Sequence, residues 1–320
     1  MSNQKCLLPD DDLEAVLRPP PITDQPSAWY GHIPFANWIV AKARPKLLVE
    51  LGAHAGISYS AFCNAVLQSK LSTRCFAVDT WQGDRMAGYY GEDVYERFSR
   101  FHEARFGAFS TLIRSTFDTA LPHFSDGSID LLHLDGLHTY DAVRHDFETW
   151  QPKLSDRAIV LFHDTNERAA DFGVWRYWNE LAEKHPSFNF PHCHGLGVLC
   201  YGKNAPSAAT ELARMDESDA ERFRFRFQAI GERWIAEYLR TVKIQEVEEA
   251  RGRLQALQSE SNSIRIELTT AKAQIANLQS DVCARDTMIQ AIHDSTSWRI
   301  TGPMRTVAGA LRRSRRPHSI

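Results

Sequence analysis

No apolar run in this 320-residue chain approaches the roughly 18–20 residues that cross a bilayer, so no membrane-spanning helix is expected. Cysteine is sparse. Cys6, Cys63, Cys75, Cys193, Cys200 and Cys283 fit no disulfide framework, and no CxxC pair is available for zinc. A reducing cytoplasm is therefore the expected location. The first dozen residues are polar and then acidic, unlike a secretory signal. Strong net charge is also missing. The formal value of −3 argues against nucleic acid as a partner. That near-balance hides a split. Six arginines and no acid lie between Arg299 and Arg316, which leaves residues 1–297 at −9. An acidic body and a basic tail have different tasks.

What is present orders the chain. Residues 1–28 contain Pro19, Pro20, Pro21 and Pro26 and read as an extended arm. From 29 to about 205, short β-rich runs alternate with helical stretches. The runs are Lys46–Leu51, Cys75–Asp79, Thr111–Arg114, Ile129–Asp135, Ala158–His163 and Gly197–Tyr201. The helical stretches are Ser58–Leu67, Asp93–Phe106, Tyr140–Leu154 and Phe172–His185. This alternation predicts an α/β fold with a mostly parallel sheet, closed by an antiparallel hairpin over 188–201.

Residues 206–242 read as a helical connector docked through Phe223, Phe227, Ile230, Trp234 and Tyr238. Residues 243–294 then carry a heptad repeat. Position a falls at Val247 and each seventh residue to Ile289, and d falls at Ala250 and each seventh residue to Ile292. Twelve of these fourteen positions are apolar, Ser261 and Arg285 being the exceptions. A coiled coil of roughly 70 Å over 247–292, giving a parallel homo-oligomer, is expected. The rival is one long helix folded back on the body. In a parallel pair Glu260 meets Arg265 and Glu267 meets Lys272, while Asp281 facing Asp286 is unfavourable.

The candidate site chemistry begins at Val49-Glu50-Leu51-Gly52-Ala53-His54-Ala55-Gly56-Ile57-Ser58. A strand ends in a Gly-rich turn, and a helix starts at Ser58, where an anionic group is favoured. Asp79 ends the second strand, where its oxygens can accept ribose hydroxyls, and Trp81 can lie on a purine. A turn acid and a core aromatic are the competing readings. No Lys or Arg sits in the first turn and no GxGxxG occurs, which disfavours a nucleotide diphosphate. A nucleoside with an amino-acid end, the shape of S-adenosylmethionine, fits better. Asp135 and His138 follow the fourth strand, and His163 and Asp164 end the fifth. Two carboxylates beside a histidine suit a divalent cation such as Mg²⁺, with His138 as general base. A helix cap, a satisfied histidine and an Asx-turn are the structural alternatives. His192 and His194 read as structural or substrate-lining.

The ordered segments ELGAHAGIS, AVDTWQGD, IDLLHLDGLHTYDAVRHDFETW, IVLFHDT and HGLGVL resemble the class I S-adenosylmethionine-dependent methyltransferases. Within them the chain is similar to the metal-dependent sugar and macrolide O-methyltransferase branch (methyltransferase family 24-like). The resemblance covers roughly residues 29–202. It implies a Rossmann-like seven-stranded, mostly parallel sheet, followed here by the long C-terminal helix. It implies that Glu50, Gly52, Gly56, Ser58, Asp79, Trp81, Ser115 and Asp135 surround S-adenosylmethionine. It also implies that Asp135, His163 and Asp164 hold Mg²⁺ or another divalent cation. Leu137 departs from relatives that carry a second Asp there.

Residues 295–305 resemble the tails of bacterial enzymes that build surface polysaccharides. The expected acceptor is a sugar hydroxyl of a surface polysaccharide or glycolipid, with a glycosyltransferase as a candidate partner. Residues 297–320 are expected to touch the inner face of the cytoplasmic membrane, against the rival of a solvated basic end. The alternatives to this function are methylation of a small glycosylated natural product and a non-catalytic scaffold in glycan assembly.

Overall fold

The computed structural model describes residues 10–169 and 171–313. Arg315 and Arg316 of the basic tail and the first nine residues of the arm lie outside the described residues. By its internal contacts the chain forms two units, 1–244 and 245–320.

In the first unit the elements run as α1 (Asp10–Val16), α2 (Ile33–Ala43), β1 (Leu47–Leu51), α3 (Ile57–Gln68), β2 (Arg74–Asp79), β3 (Gly83–Asp84), β4 (Gly88–Tyr89), α4 (Glu92–Phe106), β5 (Ser110–Arg114), α5 (Phe117–Ala120), β6 (Ile129–Leu134), α6 (Tyr140–Trp150), β7 (Leu154–His163), α7 (Val174–Ala182), β8 (Ser187–Phe190), β9 (Leu196–Cys200) and α8 (Ser207–Leu212). Helix α9 (Glu217–Asp294) begins in this unit. The seven-stranded sheet has the order β5-β2-β1-β6-β7-β9-β8. Only β9 runs against its neighbours. This is a Rossmann-like, doubly wound and mostly parallel sheet, as the alternation of strands and helices in the sequence predicts.

The strands are apolar on both faces because both faces are covered. Leu48, Leu131, Ile159 and Leu161 enter one core, with α2 and α3. Val49, Leu132, Val160 and Phe162 alternate into the other, with α6 and α7. Strand order reverses at β1, which has β2 on one side and β6 on the other. The loops leaving β1 and β6 part there, and an open α/β sheet binds ligands in that crevice.

Two features differ from the sequence expectation. The arm is not extended throughout, since Asp10–Val16 is helical. Helix α2 occupies a stretch without an amphipathic period, because nine of its eleven residues are buried and no polar face marks it. The start of α9 docks as its aromatic stripe predicts. Phe223 and Phe227 are fully buried among Trp38, Phe35, Phe188 and Phe190. Tyr238 stacks on Tyr30 at 5.1 Å. Gly231 crosses Gly31 so closely that an added Cβ would lie 2.3 Å from the Gly31 carbonyl oxygen.

In the second unit, the remainder of α9 keeps its apolar residues exposed. Two short helices, α10 (Thr296–Ile300) and α11 (Gly302–Arg313), follow it.

Phe227→Ala should destabilise the first unit by ~3–5 kcal/mol, the range for emptying a buried aromatic site. Phe225→Ala, at a side chain 72% exposed, should stay within ~0.5 kcal/mol. Urea denaturation followed by tryptophan fluorescence measures both, and equal effects would contradict this docking.

Candidate active site

A cavity of about 800 Å³ opens at the carboxyl ends of β1, β2 and β6. Its floor is the turn after β1. Gly52 has φ +91, and a Cβ there would lie 2.1 Å from the Asp135 carbonyl oxygen, so only glycine lets the β1 and β6 loops touch. Gly56, at φ +79, is the N-cap of α3 and lies against the Phe98 ring. Asp79 holds this turn in shape. Its Oδ2 accepts from the Ala53 and His54 amides, each at 2.9 Å, and its Oδ1 accepts from the Trp81 amide at 2.7 Å. A carboxylate offers roughly four lone-pair sites, so three backbone bonds leave room for about one ribose hydroxyl, not two.

Gly52, Ser58, Asp79, Asp135 and His138 line the cavity. Other residues expected around the cofactor do not. Glu50 is fully buried beneath the turn, where Oε1 accepts from Ser58 Oγ at 2.7 Å and Oε2 lies 3.3 Å from His133 Nδ1. Burial raises its carboxyl, against the pull of His133 and Ser58. Gly56 acts through the backbone. Trp81 is a core aromatic, 1% exposed, packed on Tyr95 and Phe98 with Nε1 donating to the His54 carbonyl. Ser115 turns its hydroxyl to the Thr116 carbonyl, and Thr116 and Phe117 reach the cavity instead.

The second group of residues converges as a cluster. The donor atoms of Asp135, His138 and Asp164 lie within 4.8 Å of one another. His138 Nε2 is 2.9 Å from Asp164 Oδ2 and 3.5 Å from Asp135 Oδ1. His163 reaches the same carboxylates through Nδ1, at 3.2 and 3.3 Å. It is nearly buried, and its Nε2 has no partner. His138 therefore stands among the converging donors, and His163 lies behind them. Thr139 caps α6 by accepting from the Ala142 amide, so Asp135 is not spent as a cap.

The cluster balances its own charge. Burial alone would raise the Asp135 carboxyl, but His163 and His138 outweigh it and hold it well below the usual range. Burial likewise opposes Asp164, which the same imidazoles bring down to about 2. Burial works against a charged His138, yet the two carboxylates lift it to about 10. His163 rises well above its ordinary value for the same reason. The His138 ring is fixed between these acids and Phe172, which stacks on it at 5.1 Å.

Sequence reasoning does not single out Trp29, Phe172 or Asp146. Trp29 lines the cavity, donates from Nε1 to Asp135 Oδ2 at 3.0 Å and stacks on His163. It is 106 residues from Asp135, and no local motif links the two. Asp146, on α6, lines the cavity beside Phe117 and Gly136. His192 and His194 are absent from the lining. His192 Nε2 faces the Gly31 carbonyl, and His194 pairs with Glu167.

Burial, reinforced by Asp118 and opposed by His145, raises Asp146 to about 7. An unfolded Asp ionises near ~4. Folded protein thus holds the extra proton between about pH 4 and 7, and stability falls as pH rises through that window. Asp146→Asn should melt higher than the parent at pH 8, with the gap closing toward pH ~4. Thermal melts across pH measure this, and a gap independent of pH would refute it.

Comparison with known proteins adds four likenesses. The uncharacterized protein y4gI of Sinorhizobium fredii is 44% identical over 263 residues. The match takes in 81% of this chain but only 29% of that protein's length. A methyltransferase from Geobacter sulfurreducens has TM-score 0.40 at 18% identity, over 52% of this chain and 76% of its own. The O-methyltransferase TomG from Streptomyces achromogenes, involved in tomaymycin synthesis and solved with S-adenosylmethionine, has TM-score 0.41 at 14% identity, over 56% and 82%. Residues 49–165 match the family model described as a methyltransferase domain.

Proposed function

We propose that the chain is an S-adenosylmethionine-dependent O-methyltransferase that acts on a sugar hydroxyl of a bacterial surface polysaccharide or glycolipid. The observation that carries this reading is the meeting, in one cavity, of the Gly52–Asp79 turn with Asp135 and His138, whose donor atoms converge with that of the nearly buried Asp164 just behind the lining. The methyltransferase-domain match over 49–165 supports it. The turn receives the nucleoside and its amino-acid end. The cluster receives the acceptor.

Transfer forms an acceptor O–CH₃ bond and breaks the S–CH₃ bond, turning the sulfonium into a thioether. The hydroxyl proton leaves to His138 Nε2. Asp135 and Asp164 fit a divalent cation, since two converging carboxylates suit one, and this leaves the His138 imidazole for the proton. Such a cation would stabilise the developing alkoxide and relieve the carboxylates of their need for protonated imidazoles. Phe172 and Trp29 fix the rings and shield them from water, so alignment supplies much of the rate.

Calorimetric titration should detect S-adenosylmethionine binding, and labelled cofactor should methylate extracted lipid-linked glycans. His138→Ala should keep the far-ultraviolet spectrum and cofactor binding while turnover falls about 10²–10⁴-fold. Near-normal turnover would remove His138 as base, and full activity in EDTA would remove the cation. Absence of cofactor binding would favour a non-catalytic scaffold.

The same reading assigns the tail to an anionic membrane surface. Met304, Val307 and Leu311 are each at least 60% exposed along α11, on a chain segment rich in arginine. Deleting 297–320 should abolish co-sedimentation with phosphatidylglycerol vesicles. Unchanged sedimentation would assign the tail to solvent.

A further inference from the structure

We infer that residues 247–292 pair with a second copy of this chain as a parallel, in-register, two-stranded coiled coil, and that a polar layer at Asp281, Arg285 and Asp286 sets the register. The inference does not depend on the proposed activity.

The first ground is the unpartnered seam. The ten Val, Leu and Ile residues at a and d of this helix are 46–63% exposed in the single chain. They recur every 3.5 residues on average along an unbroken helix. Water would not leave such a stripe uncovered at this length.

Charge selects the occupant and its direction. Of the six g positions three are acids (Glu260, Glu267, Asp281) and one a base (Arg253), while of the six e positions three are bases (Arg251, Arg265, Lys272) and one an acid (Asp286). A parallel pair sets g against e, joining Glu260 to Arg265 and Glu267 to Lys272. An antiparallel pair sets g against g and e against e, with like charges opposed. In the single chain Arg251 and Arg253 are already bonded within the helix, to Glu248 and Glu249. Among the described residues, Glu260, Arg265, Glu267 and Lys272 make no such ion pair.

The layer near the C-terminal end resolves the one apparent conflict. Asp281 at g would face Asp286 at e of the partner. Arg285, at d between them, is one turn from its own Asp281. A d side chain also packs beside the e position of the facing helix. Two arginines then sit among four carboxylates only when the copies are parallel and in register. A shift by one heptad replaces the facing Arg285 and Asp286 by Leu278 and Gln279 or by Ile292 and His293, so that Arg285 loses the partner's carboxylate, which is costly for a charge in the seam. Four of the seven a positions are β-branched (Val247, Ile275, Val282, Ile289), which favours two strands.

The test uses the full chain. Sedimentation equilibrium should give two copies. Leu278→Cys at d, with Cys283→Ser to remove the exposed native thiol, should oxidise to a covalent dimer, since only parallel in-register pairing brings both sulfurs together. Arg285→Glu should weaken self-association about tenfold or more, and Asp286→Arg added to it should restore the pairing. A monomer at tens of micromolar, a trimer, failure of the Leu278→Cys variant to cross-link, or a charge reversal without effect or without rescue would each overturn the inference.

Discussion

The three backbone amides gathered by Asp79 determine what the cavity can be. They fix Ala53, His54 and Trp81 around one carboxylate at the tip of β2. With the turn fixed, Gly52 sits directly against the Asp135 carbonyl, and the β1 and β6 loops are locked together. The Asp79 turn and the Asp135–His138 side of the cluster border one cavity for that reason. A longer or shorter side chain at 79 would lose these amides and release the turn.

The cluster itself is an arrangement of opposites at low exposure. Two carboxylates and two imidazoles each overcome the penalty of burial only through one another. Removing any one leaves an uncompensated charge, so this part of the protein is poised and not relaxed. Around it lie two further buried histidines, His32, and His133 beside Glu50 Oε2. Burial, together with the neighbouring His163 and His192, pushes His32 well below its ordinary value. The positive charge therefore concentrates beside the acids.

The strand runs, the Gly-rich turn and the paired acids are legible in the sequence because each is a local pattern. Alternation on β6 and β7, and the spacing of Gly52, Gly56 and Asp79, need no tertiary knowledge. Trp81 reads in the sequence as a ligand aromatic because its neighbour Asp79 suggests a cavity, but its left-handed backbone turns the ring inward. Ser115 falls one residue short of the lining for a related reason, since a strand tip cannot tell which of two successive side chains faces in. Trp29 is out of reach of any local pattern, because its bond to Asp135 exists only after α2 and the sheet have assembled.

The short turn that carries Trp29 also borders the first part of α9. Tyr30 lies under Tyr238, and Gly31 lies under Gly231. A chain cut at residue 205, where the sequence motifs end, would strip the cover from that turn and loosen the indole that holds Asp135. The smallest autonomous body is thus set by physical support and not by motif content, and it extends into the long helix at least as far as Tyr238.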